Sequence, residues 1–246
     1  EAMKHIDRDK VVLSTKCGLE WRHETPILHK VVDGVQVYRD LSAKGIIEDV
    51  EDSLRRLHTD HLDVLYTHWQ SPDFGVYPLE ETMEAMMKLK EQGKLRAIGV
   101  SNFYPDHFID LASNMEIVPA VNQVETHVFD QQVEPQRIME EFGTHIMSWA
   151  PFAEGRNGFF TNPQLAEIGH KYGKSVAQVA LRWLIQRGVI VIPKSTHIER
   201  MQQNIDIFDF VLSDGDMTAI ATLDTGKSLF FDHHDAETAR MFMEWR

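Results

Sequence analysis

Short apolar runs, each followed by a longer amphipathic stretch, repeat along almost all of this 246-residue chain. This alternation restricts the fold more than any other feature. Residues 11–15, 62–68, 95–101, 118–123, 145–150 and 189–193 are brief, β-branched or aliphatic, and in several cases bounded by Gly or Pro, as buried strands are. Helical spacing fills the intervals. Ile46, Ile47, Val50, Leu54 and Leu57 mark one face of 42–57, and Met83, Met86, Met87 and Leu89 one face of 79–92. Residues 105–112, 134–142 and 175–186 continue the pattern. Ser175 with Gln178 predicts a capping box, and Ser213 before Asp216 a second helix start. Strands too apolar to alternate, joined by helices, imply a parallel sheet covered by helices.

An α/β chain of this kind forms either an open doubly wound sheet or a closed barrel. An open nucleotide-binding sheet carries a Gly-rich turn after a strand, and neither G-x-G-x-x-G nor G-x-x-x-x-G-K-[ST] occurs. The reading is therefore a (β/α)8 TIM barrel. Such a barrel needs eight strands and six are identifiable, so it is expected to be incomplete at the N-terminus. Residues 1–5 read as the end of a helix, and six strands alone would leave two open sheet edges. No repeat or linker divides residues 1–246, which are expected to form a single domain.

A formal charge of −13 disfavours nucleic acid and anionic lipid as partners. No run approaches the roughly 18 apolar residues of a membrane span. Cys17, the single cysteine, precludes an intrachain disulfide and fits a reducing cytoplasm. Polar residues recur at the C-terminal ends of the expected strands: Lys16, His68, Ser101 with Asn102, Gln123, and Lys194 with Ser195. A barrel gathers those ends at one mouth, where active sites lie. His233 and His234 between Asp232 and Asp235 lack a second ligand group at helical or hairpin spacing, so no metal is expected.

The runs Ser14-Thr15-Lys16, 62–69 (LDVLYTHW), 93–103 (GKLRAIGVSNF), Val121-Asn122-Gln123, Trp149-Ala150-Pro151 and Ile192-Pro193-Lys194-Ser195 with Arg200 and Asn204 resemble the aldo-keto reductases, in the family's order. The resemblance implies NADP(H) as cofactor and a small carbonyl compound as substrate. Lys16 would lower the pKa of a proton-donating tyrosine and pair with an aspartate; in the family both lie upstream of this strand, and no residue of this sequence matches either. His68 would orient the carbonyl. Ser101, Asn102 and Gln123 would hold the nicotinamide carboxamide, and Trp149 would stack on its ring. Lys194, Ser195 and Arg200 would bind the 2′-phosphate, and Gln203 and Asn204 the adenine. The loop 152–159, beginning at Phe152, takes the place of the pyrophosphate strap. Trp21, Trp69, Phe103 and Phe231 are candidates for the apolar substrate wall. A cytoplasmic monomer is expected.

Other readings stay open. Lys16 could form a Schiff base in an aldolase, against which the amide-bearing Ser101, Asn102 and Gln123 set speaks. The chain could also be an NADP-binding relative without turnover, or a shortened chain lacking the tyrosine. Tyr66 suits a packed barrel layer better than a substitute proton donor. Cys17 is expected to point away from Lys16 and be inert.

Overall fold

The computed structural model describes residues 5–68, 77–114, 118–231, 236–238 and 240. The chain divides into two compact units: Glu1–Phe103 with Ile109–Val121 and His233–Arg246, and Tyr104–Phe108 with Asn122–Asp232.

The first unit runs in the order β1 (Ser14–Cys17), β2 (Leu19–Glu20), β3 (Ile27–Val32), β4 (Val35–Arg39), α1 (Ala43–Leu57), β5 (Leu62–Thr67), α2 (Leu79–Glu91) and β6 (Leu95–Ser101). β1, β5 and β6 are parallel, with Lys16 opposite Tyr66 and Tyr66 opposite Gly99. A Cβ on Gly99 would lie 2.5 Å from the Tyr66 ring and 3.1 Å from the Val121 carbonyl oxygen. Only glycine therefore admits the buried tyrosine between strands. α1 starts as its sequence dictates: the Ser42 hydroxyl accepts from the Gly45 amide, and Ile46, Val50 and Leu54 are buried. Asp63, buried at the start of β5, joins three segments. It accepts from the Leu13 amide at 2.8 Å, from Arg8 at 2.8 Å and from Arg96 at 2.9 Å. Burial alone would raise its pKa; these donors outweigh burial and hold it below the ordinary value.

β2, β4 and β3 form a separate antiparallel sheet, outside the repeating strand–helix pattern of the sequence. Its signal was present. Asp33-Gly34, between apolar runs, has both φ angles positive (50° and 81°), as a two-residue hairpin requires.

Helix α3 (Pro105–Asn114) comes next in the chain, followed in the second unit by β7 (Val121–Glu125), α4 (Val133–Glu141), β8 (His145–Trp149), α5 (Pro163–Tyr172), α6 (Val176–Gln186), β9 (Ile190–Val191), α7 (Ile198–Ile205) and α8 (Asp214–Ala221). β8 and β9 are parallel, with Met147 opposite Ile190. The six strands expected from sequence are all present, β7 beginning in the first unit with Val121 and continuing in the second. Their limits shift: β7 starts after Pro119, which has no N–H for a ladder, and continues through Glu125. The last strand shrinks to two residues before Pro193. α6 carries the expected capping box and buries Val179, Leu181, Trp183 and Leu184. α5 and its Asn162 cap are additional to the sequence reading. Among the described residues, no helix is long and apolar enough to cross a membrane.

Candidate active site

Parallel pairing places the side chains of β1 and β5 in register, and the unit's candidate chemistry follows from it. Lys16 lies on the exposed face of its strand, yet the protein around its stem and ammonium lowers its pKa. Among the described residues no carboxylate pairs with it. His68 follows β5, its amide donating to the Cys17 carbonyl at 2.9 Å. Burial lowers the His68 pKa to about 4, and Lys16, His29, Lys30 and Arg39 add repulsion. Its ring meets His29 edge to face at 6.3 Å. The imidazole is therefore neutral at pH 7, suited to donate one hydrogen bond to a carbonyl oxygen. Tyr66 is 2% exposed and bonds Ser14; burial, the larger effect, raises its pKa. Cys17 is buried beneath the strand, with its thiol pKa raised by burial and then by Asp49, as an inert thiol would be.

Ser101 ends β6, 4% exposed, and Asn102 turns the chain in the left-handed region at φ 58°, donating to the Ser101 hydroxyl at 3.2 Å. Phe103 is 4% exposed. Trp21 instead lies on the surface beside Arg22 and Arg56, each 6.0 Å from its ring. Trp69 lies outside the described residues, as do His233 and His234. Glu20, His23 and Glu48 bring ligand atoms within 4.8 Å of one another, but Arg22 engages both Glu20 oxygens.

In the second unit, Gln123 is 1% exposed, its amide nitrogen 3.2 Å from the Met147 sulfur. Its carbonyl oxygen is buried and has no hydrogen-bond partner among the described residues. A buried amide acceptor in that state is costly unless a donor reaches it. A carboxamide N–H would satisfy it, so the site fits a nicotinamide.

Phe152, Lys194, Ser195, Arg200, Gln203 and Asn204 line one cavity of about 480 Å³. The family resemblance implies the phosphate and adenine contacts for these residues, which come together here from two regions of the chain. The cavity also includes Phe160, Thr196, His197 and the start of α6 at Ser175, Val176 and Ala177. The sequence places that helix start but not its part in the cavity, although a capping box marks a place where amide N–H groups face outward. The loop entering the cavity winds tightly: Ala153, Glu154, Gly155, Asn157 and Gly158 all have positive φ.

Trp149, at the end of β8, is half-buried and meets Phe230 at 5.0 Å between ring centroids. Glu125, two residues beyond Gln123 on β7, is a buried carboxylate that the sequence reading did not single out. It accepts from His127 Nε2 and from the Leu229 amide, both at 2.9 Å, and from the Ser228 hydroxyl. His127 Nδ1 accepts from the Phe129 and Asp130 amides, which leaves Nε2 as its donor.

The aldo/keto reductase family model matches residues 1–225. The glyoxal reductase of Bacillus subtilis strain 168 is 43% identical over 70% of this chain and 60% of its own length. An aldo-keto reductase from a Medee basin deep-sea metagenome library superposes with a TM-score of 0.80 at 32% identity, covering 96% of this chain and 79% of that one. A variant of Gox0644 in complex with NADPH has a TM-score of 0.77 at 31% identity, covering 92% and 75%. The chain spans about three fifths of the length of curated relatives such as the glyoxal reductase and an aldo-keto reductase of Mycolicibacterium smegmatis. With its signatures in order, a match over nearly its full length and the fold of these solved relatives, the chain belongs to the aldo/keto reductase family.

Proposed function

We propose that the chain reduces the carbonyl of small aldehydes, ketones or keto-sugars with NADPH, with glyoxal-type dicarbonyls as first candidates. The observation that carries this reading is the cavity lined by Lys194, Ser195, Arg200, Gln203 and Asn204, a recess with two cationic side chains on a chain of charge −13. Arg200 and Lys194 would hold the 2′-phosphate, with Arg200 gripping through two parallel donors. Gln203 and Asn204 would face the base, and Phe152 the pyrophosphate side. Ser101, Asn102 and Gln123 would fix the carboxamide, and Trp149 would support the ring. NADPH, when bound, supplies the hydride. His68 would donate to the carbonyl oxygen and so stabilise charge developing there, with Lys16 adding positive potential. Phe103 would border the substrate. The chain would work as a single-domain monomer in the cytoplasm, where the free thiol of Cys17 suits a reducing compartment.

Tyr66 favours a second reading. The register sets it opposite Lys16, but it is buried, bonded to Ser14 and raised in pKa, a poor proton donor. This suits NADPH binding without turnover. One titration and one assay separate the readings. NADPH should quench intrinsic fluorescence, bind more tightly than NADH, and lose about 10- to 100-fold in affinity on Arg200→Ala, the size expected for a charge-assisted phosphate contact. Consumption of NADPH with glyoxal or methylglyoxal supports the reductase. Binding without consumption supports the second reading, and absence of NADPH binding overturns both.

A further inference from the structure

Glu125 is a buried anion for which the proposed hydride transfer has no use. A buried carboxylate is expensive unless hydrogen bonds compensate it. Burial alone would raise its pKa; bonds from His127, Ser228 and Leu229 outweigh burial and keep it below the ordinary value. Its negative charge is felt nearby: Asp130 is raised to about 6 by burial first and Glu125 second. The donors are informative. Two of the three come from a segment more than 100 positions away in sequence.

That segment is wound about one hydroxyl. Ser228 Oγ donates to Glu125 and accepts from the Phe230 amide at 3.0 Å and the Phe231 amide at 2.9 Å. Phe230 is thereby carried to Trp149 (5.0 Å) and to His127 (6.4 Å). A second tie comes from the other side. Arg156 donates to the Leu229 carbonyl at 2.6 Å, and its guanidinium lies 4.0 Å from the Phe230 ring centroid. The loop that lines the nucleotide cavity through Phe152 and Phe160 thus also touches this segment.

We infer that Glu125 is a positioning residue: through Ser228 it holds Phe230 against Trp149 and so sets the attitude of the indole. The consequence for cofactor binding rests on the proposed function, in which Trp149 supports the nicotinamide; the anchoring itself does not. Ser228→Ala removes the hydroxyl that joins Glu125 to the turn, and Ser228→Thr keeps it. Phe230→Ala removes the ring and leaves the anchor.

The test uses the full chain, with Trp149→Phe as the reference that isolates the Trp149 contribution to near-ultraviolet circular dichroism and fluorescence. Ser228→Ala and Phe230→Ala are expected to change that contribution in the absence of any ligand, and Ser228→Thr to preserve it. Chymotrypsin should cut after Phe230 or Phe231 several-fold faster in Ser228→Ala than in Ser228→Thr. NADPH affinity should fall about tenfold in Ser228→Ala and Phe230→Ala, the effect of losing roughly one hydrogen bond or ring contact. An unaltered Trp149 signal in either Ser228→Ala or Phe230→Ala overturns the inference, whatever NADPH does. If the Trp149 signal changes as expected but wild-type chain does not bind NADPH, the anchoring stands and the proposed function falls.

Discussion

His68 carries the clearest electrostatic signature of any residue assigned to catalysis. Folding lowers its pKa from 6.5 to about 4, chiefly by burial. Between those values an unfolded chain takes up a proton and the folded chain does not, so stability contributed by neutral His68 is whole above about pH 6.5 and is lost as pH falls towards 4. Its imidazole resonances, assigned by difference against His68→Gln, should therefore titrate near pH 4. A midpoint near 6.5 would remove the argument for a neutral donor at pH 7. The sequence disclosed His68, Lys16 and Gln123 because parallel strands end in polar residues where a site is being built. It could not disclose Glu125, whose partners Ser228 and Leu229 lie beyond any local pattern. Nor could spacing show that Trp21 lies on the surface beside two arginines.

Elements announced by local chemistry were the most legible. Ser42, Ser175 and Ser213 each accept from the amide three residues on, and at Ser175 and Ser213 this made the starts of α6 and α8 readable directly. The α8 start has more than a cap. Asp216 receives the Ser213 and Tyr172 hydroxyls, each at 2.6 Å, and the Lys171 ammonium at 2.7 Å. Burial would raise its pKa; these donors outweigh burial and depress it strongly. Its stabilising effect is then complete above the ordinary carboxylate range and lost as pH falls below it. Asp216→Asn should lower stability by about 1–3 kcal/mol in denaturant melts at pH 7, with the difference from wild type shrinking in acid. An unchanged melt at pH 7 would mean these bonds add nothing net. The antiparallel sheet β2–β4–β3 was missed for a different reason: a dipeptide turn signal was passed over within a chain otherwise read as strand–helix units.

For the whole molecule, hydrophobic period and the absence of phosphate-loop motifs sufficed to give the α/β class, and the solved relatives agree with it. The pairing of individual strands was not legible, because buried parallel strands look alike in sequence. Among the described strands, β1 borders only β5 and β9 only β8. Val12 beside β1 is 78% exposed and Ile192 beside β9 47%. Open edges with apolar neighbours template association. Light scattering should rise with protein concentration and fall in Val12→Lys or Ile192→Lys; scattering unaffected by either would show that the edges are protected.

The winding of residues 153–158 limits what variation that stretch of chain can bear. Left-handed backbone costs an ordinary residue roughly 1–2 kcal/mol and a β-branched one more. Five of its six positions adopt it, three of them without the freedom of glycine. The repertoire open to this loop is therefore narrow for reasons of backbone geometry alone, and drift there would run towards Gly, Asn or Asp, with Val, Ile and Thr shut out whatever molecule the neighbouring recess receives.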